Sequence, residues 1–247
     1  MPTGIGDEKL WLCPSLDDSA DDISGNGNHG TYNGGMGTVA DTSNGGTRAY
    51  SFDGSNDYIR IGNRTNFNFL VNTNYWSMSA WVYHSDLSGQ RTVIGGDADN
   101  RDKGVSIIES SYSGLGYRGI RAYGSSSAYS PDTRSNTTYT TGVWKHICWV
   151  VSGSSSKIYV DGVEEASESA SFPTTSASLT DDVMIGAYSS GSGLYSFMDG
   201  KQDDIRIFDR ALSTSEITAL ASKRGYEVPA ASGSIPHALS SPFHPLG

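Results

Sequence analysis

Short runs in which apolar and polar residues alternate recur along the chain. In DYIRIG, Ile59 and Ile61 project to one side while Tyr58 and Arg60 project to the other, the period of two expected of a strand with one buried face. WSMSAWVY places Trp76, Met78 and Ala80 on one face and Ser77, Ser79 and Trp81 on the opposite one. WKHICWVV and SKIYVDG predict two strands joined by a Ser/Gly turn at 152–156, with Ile158 and Val160 facing inward. AYSFDG and DYIRIG flank an Asp-Gly-Ser-Asn stretch of hairpin type. DDVMIGAY and DDIRIFDR continue the style. Strands at this spacing, punctuated by turn residues, predict an all-β fold, a two-sheet antiparallel sandwich or jelly roll. No repeat of fixed period interrupts the pattern.

One stretch changes period. Ser213 precedes TSEITALASKRG, and Glu216 follows three residues later, the reciprocal arrangement of a capping box. Ile217, Leu220 and Ala221 make an apolar stripe, which predicts one short C-terminal helix packed on the sandwich. Lys223 and Arg224 suit the carboxyl end of its dipole, and Gly225 suits a left-handed cap. The remaining VPAASGSIPHALSSPFHPLG is rich in Pro, Ser and Gly and is not expected to form a packed element unaided. Ile235, Leu239, Phe243 and Leu246 punctuate it as candidate anchors for another surface. The expected organisation is an extension over 1–7, one β domain over 8–226, and a docking tail over 227–247.

Composition narrows the classes of function. A chain of 247 residues can bury a sizeable core as one large β domain. Only 18% of residues are charged while glycine reaches 30, so the polarity comes mainly from Ser, Thr, Asn and Gly, the residues of turns. A net charge of −10 argues against a protein that tracks nucleic-acid phosphates. Cys13 and Cys148 are too few for a disulfide framework and lie in apolar runs, which favours two buried thiols over a single bridge. No apolar run is long enough to span a bilayer, so membrane insertion is not expected. The first residues show no signal-peptide pattern. The chain is then expected to work where it is made, to reach the outside by lysis or export within an assembly, or to be a trimmed piece.

Candidate chemistry centres on DDISGNGNHG. Oxygen-bearing side chains stand at Asp22, Ser24, Asn26 and Asn28, with Gly25 and Gly27 permitting tight curvature. Such a loop can turn its oxygens toward one calcium ion, which takes six to eight oxygen ligands in irregular geometry. The alternative is a Gly-Asn turn closed by its own side-chain hydrogen bonds. Either way an ion there would brace the fold, not catalyse. The stretch from Asp53 to Asp57 is sufficiently explained as a turn. His29, His84, His146, His237 and His244 show no metal-ligand spacing, and His146 suits a core or interface position. Tyr112, Tyr117, Tyr123, Tyr129, Tyr188 and Tyr195 lie in loop-rich stretches, where Tyr112, Tyr117, Tyr188 and Tyr195 are candidates for stacking on a sugar.

The succession LWLCPSLDDSADDISGNGNHGTYNG, AYSFDGSNDYIRIG, WSMSAWVY, GVWKHICWVVSGSSSKIYVDG and MDGKQDDIRIFDRALSTSEITAL resembles the laminin-G-like group of the concanavalin A-like lectin/glucanase superfamily, over roughly 8–226. The resemblance implies a jelly roll of two antiparallel sheets, often with one structural calcium, to which Asp203 or Asp204 would add a carboxylate. Hydrolases of that superfamily carry two Glu flanking an Asp on one strand. Glu164, Glu165 and Glu168 lack that alternation and suit solvated edge charges, so a non-catalytic module is expected. Three functions compete. The first is a decoration or adhesion component of a large assembly, such as the capsid or tail of a phage virion, docked through the tail and open to self-association. The second is a carbohydrate-binding module for cell-surface glycans, and the third a weak hydrolase. The expected location is a virion surface or the extracellular space.

Overall fold

The alternating runs become strands. A computed structural model describes residues 4–86, 88–96, 105–110, 119–124, 132–135, 140–169, 178–179, 181–189 and 193–228. Its strands begin with β1 (Glu8–Leu12), β2 (Gly30–Asn33), β3 (Gly37–Ala40), β4 (Arg48–Asp53), β5 (Tyr58–Ile61) and β6 (Tyr75–His84). Next come β7 (Gln90–Gly96), β8 (Val105–Ser110), β9 (Gly119–Gly124), β10 (Asp132–Arg134), β11 (Trp144–Ser152) and β12 (Ser155–Val160). The last are β13 (Val163–Ser169), β14 (Val183–Ile185), β15 (Tyr188–Ser189), β16 (Leu194–Tyr195) and β17 (Asp199–Phe208). A single helical turn, α1 (Phe69–Asn72), joins the expected helix α2 (Thr214–Leu220).

Two antiparallel sheets face each other. The first runs β13-β12-β11-β6-β17-β4-β3, with β1 pairing the second half of β17 beyond the end of β4. The second runs β10-β9-β8-β7-β14-β5-β2. Their inner faces supply the main core: Ile59 and Ile61 from one sheet meet Met78, Trp149 and Ile207 from the other. Trp76 and Trp149 pack edge to face at 4.5 Å between ring centres, and the indole N–H of Trp149 donates to Ser156 Oγ at 2.8 Å. Ile158 and Val160 are in this core, as their alternation requires. Cys13 and Cys148 are buried, unbridged thiols.

Position along the chain misleads at β4 and β5. Asp53-Gly-Ser-Asn is not a hairpin: it carries the chain from the first sheet into the second. The hairpin signal was local, whereas the partners were chosen by burial, since both strands have an apolar face to hide against the same core.

The outer face of the first sheet is covered. Helix α2 has the full capping box of Ser213 and Glu216, and Ile217 and Leu220 pack on Cys148, Val150 and Phe208. The helix ends at Leu220 with Ala221 as its cap residue, earlier than Gly225 implied. Arg224 does not serve the helix dipole. It turns back, fully buried, to Asp41 and Asp203. Glu164, Glu165 and Glu168 lie on the edge strand β13, where Glu164 pairs with Lys157 at 2.9 Å. No helix among the described residues is long and apolar enough to cross a membrane.

Candidate functional site

The outer face of the second sheet carries a cavity of about 300 Å³ lined by Tyr58, Arg60, Asp181, Met184, Ser189, Gly193 and Leu194. Its origin is the strand alternation. Ile59, Ile61, Val183 and Ile185 point into the core, so Tyr58, Arg60 and Met184 on the same two strands point out. Gly186, at φ +84°, then redirects the chain from β14 into the β15–β16 hairpin, and a side chain there would strike the Phe52 ring. Gly95 on β7 leaves room for Tyr188, since a Cβ on it would come within 2.9 Å of the tyrosine's own Cβ. Backbone bonds from Gly186 N–H to Val93 O and from Thr92 N–H to Ser196 O fasten both ends of the hairpin to β7.

Aromatic pairs flank the cavity, and polar groups meet in it. Tyr58 packs beside Phe197 at 6.5 Å, and Tyr188 beside Tyr195 at 5.8 Å, across the hairpin. Arg60 Nε donates to Asp182 Oδ2 at 2.7 Å, and its Nη2 stands 3.7 Å from Asp181 Oδ1. Ser189 Oγ donates to Asp181 Oδ2, and the Asp182 N–H donates to Asp181 Oδ1 at 2.9 Å. The carboxylates hold Arg60 in its charged form and push its pKa higher still. Half of the Arg60 side chain remains open to solvent. The result is a partly apolar concavity with a few fixed donors and acceptors, which is what small-ligand sites require.

Of the candidate sugar-stacking residues, Tyr188 and Tyr195 become cross-strand partners on this hairpin. Tyr112, Tyr117 and Tyr129 lie outside the described residues, as do Ile235, Leu239, Phe243 and Leu246 of the tail. Sequence reasoning did not single out Arg60, Asp181 or Ser189. The outward orientation of Tyr58 and Arg60 was available from the alternation, but not their meeting with Asp181, Ser189 and Leu194.

The oxygen-rich loop at 22–28 is closed by its own hydrogen bonds. Asp22 Oδ1 accepts from the N–H groups of Trp11 and Ser24, and Oδ2 accepts from Asn28 N–H, all at 2.9–3.0 Å. Ser24 Oγ accepts from Asn26 N–H. The amides of Asn26 and Asn28 donate to the carbonyls of Glu8 and Lys9, each at 2.7 Å. Asp203 and Asp204 are in the middle of β17, not at its start. A bulge there breaks the register with β6, and Asp204 adopts φ +49°, so two successive carboxylates point to the outer face instead of alternating. Asp204 accepts from the Trp11 indole at 2.7 Å and from Arg206 Nε at 2.8 Å. Asp203 accepts from Ser15 Oγ and stands 3.6 Å from Arg224. Trp11 thus separates Asp22 from Asp204. As placed, the six side chains do not form one calcium shell, and among the described residues no group of three or more His, Cys, Asp or Glu side chains could hold an ion.

Two sheets closed on a common core, with one face sealed and the other bearing a polar-aromatic cavity, define a jelly-roll sandwich of lectin type. The family described as the concanavalin A-like lectin/glucanases superfamily matches residues 53–218, and the chain belongs to it. Among solved structures, the chain is similar to domain 4 of AbnA, an extracellular arabinanase from Geobacillus stearothermophilus solved in complex with arabinotriose. That likeness has a TM-score of 0.68 and 23% identity over 90% of this chain and 100% of that one. The binding domain of botulinum neurotoxin serotype D is similar with a TM-score of 0.63 and 16% identity over 87% of this chain and 51% of that one. The binding domain of Paraclostridial Mosquitocidal Protein 1 gives 0.64 and 16% over 87% and 52%. The chain therefore spans about half of the two toxin binding domains, and at these identities the likeness is one of fold. No curated protein matches the chain.

Proposed function

We propose that the chain is a non-catalytic, lectin-like carbohydrate-binding module that works outside the cell and takes its sugar in the cavity between β5, β14 and the β15–β16 hairpin. The observation that carries this reading is the cavity itself, where the Tyr58 ring and Leu194 stand beside Arg60, Asp181 and Ser189. A sugar has apolar C–H faces and a polar rim. The ring and the leucine suit the first, and the guanidinium, carboxylate and hydroxyl suit the second. The fold-level likeness to a domain solved with arabinotriose supports the same class of ligand. The reading as an assembly component docked by its tail rests on residues outside the described ones, and no observation here favours it.

Calorimetric titration of the full chain with arabinotriose and a panel of neutral oligosaccharides tests the proposal. Binding that is lost in Arg60→Ala, with an unchanged circular dichroism spectrum, is the expected result. Silence across the panel, or binding indifferent to Arg60→Ala, would overturn it. Release of reducing ends from a polysaccharide panel would refute the non-catalytic part.

A further inference from the structure

Resting on the reading just given, we propose that this cavity selects uncharged sugar residues and rejects those bearing a carboxylate, such as uronic and sialic acids. The selection lies in how Arg60, the one cation among the described residues of its lining, is neutralised. Arg60 faces two carboxylates: Asp182 takes its Nε–H at 2.7 Å, and Asp181 stands 3.7 Å from Nη2. A guanidinium has five N–H donors, and no described residue engages Nη1. Arg60 therefore offers hydrogen-bond donors without offering net positive charge. Asp181 is similarly arranged. Its oxygens accept from Ser189 Oγ and Asp182 N–H, yet a carboxylate has about four acceptor sites, which leaves some for a ligand.

A sugar hydroxyl is both donor and acceptor, so it can accept from Arg60 and donate to Asp181 in the same place. A ligand carboxylate can only accept. It would share one already-paired guanidinium with two like charges, the juxtaposition by which interfaces exclude wrong partners. The rest of the lining named above, Tyr58, Met184, Ser189 and Leu194, carries no charge to compensate. The whole-chain charge of −10 acts in the same direction at longer range. At about 300 Å³ the cavity lies at the small end of ligand sites, a size for a sugar residue or two.

The test uses the full chain and matched probes at low salt: lactose, mannotriose and arabinotriose as neutral sugars, sialyllactose and trigalacturonate as acidic ones. Neutral probes should bind at least about tenfold more tightly than acidic ones, and added salt should narrow the gap. Asp181→Asn/Asp182→Asn, which leaves Arg60 as an uncompensated cation, should bring the acidic probes up to or past the neutral ones. Acidic probes that match or exceed neutral ones on the unaltered chain would overturn the selection while leaving carbohydrate binding intact. Discrimination that survives unchanged in the double variant would overturn its assignment to this cavity. If no sugar of either kind binds, both this inference and the proposed function fall.

Discussion

Arg206 and Arg60 sit on the outer faces of the two sheets and are built from the same parts: a guanidinium, two acidic groups and an aromatic ring nearby. Arg206 is fully buried, stacked 3.9 Å above Trp11, paired with Asp204 and Glu8, and bonded to the carbonyl of Tyr226. Beside it, Arg224 lies 4.1 Å over Trp144 and holds Asp41 and Asp203. Arg60 keeps half its side chain in solvent. What differs is the cover. Residues 213–226 close the first sheet, so the donors of Arg206 and Arg224 are shut away from solvent and turn to carboxylates and carbonyls inside the protein. No such segment lies over Arg60 among the described residues, and its spare donors face a cavity. Equivalent chemistry is therefore structural where the chain seals it and available for binding where it does not.

The sharpest way to break this comparison is to remove each arginine. Arg206→Met leaves Asp204 and Glu8 buried without their cation and should cost about 3–5 kcal/mol in urea unfolding. Arg60→Met should cost less than about 1 kcal/mol while removing sugar binding. Equal losses of stability would erase the distinction between the two faces.

Acid should act next most strongly, through the buried histidines. Burial depresses His84 to about 3 and His146 to about 4, both below the ordinary 6.5. The folded chain thus refuses protons that the unfolded chain accepts, so this stability is complete above pH 6.5 and falls as the pH drops toward 4. Asp203 opposes it. Burial, reinforced by neighbouring Asp204, raises its carboxyl from 3.8 to about 6. Its contribution is therefore present at low pH and lost as the pH rises through 6. The two histidines outweigh the one carboxyl, and each should remove on the order of 2 kcal/mol between pH 6.5 and about pH 5. Urea midpoints at the two pH values should show that drop, and His146→Leu should flatten it.

Smaller changes sharpen the contrast. Ser213→Ala loosens the helix that seals the first sheet and should cost about 1 kcal/mol, with sugar affinity unaltered. Tyr195→Ala, on the open face, should move stability by less than about 0.5 kcal/mol yet weaken neutral-sugar binding measurably. Smallest of all is calcium. With the Asp22 and Ser24 oxygens engaged by backbone N–H groups, adding calcium or a chelator should leave the melting temperature within about 1 °C, a negligible change in free energy for a domain of this size. A rise of several degrees would mean that the loop reorganises around an ion.

Much of the fold was legible because its signals are local. Ile59 and Ile61, Ile158 and Val160, and the Trp76-Met78-Ala80 face all occupy the core that alternation assigned to them. Ser213 and Glu216 announced their capping box from spacing alone. Arg224 was misread because its spacing suited a helix end, whereas its partner Asp41 is remote in sequence. Tyr188 and Tyr195 drew notice as aromatics in loop-rich stretches, but Arg60 and Asp181 carried no local mark. An arginine on a strand's outer face is ordinary until a distant hairpin folds beside it.

The sequence alone determined the period-two strands, the capped helix, the buried thiols and membership in a lectin-like sandwich, because each depends on residues within a few positions of one another. Tertiary structure decided which strands share a sheet, that the bulge at Asp204 turns two carboxylates to one side, which arginines are sealed, and where the cavity lies. Those outcomes depend on contacts between segments more than a hundred residues apart, such as Arg60 with Asp182. Their geometry is set only when both sheets close on the common core.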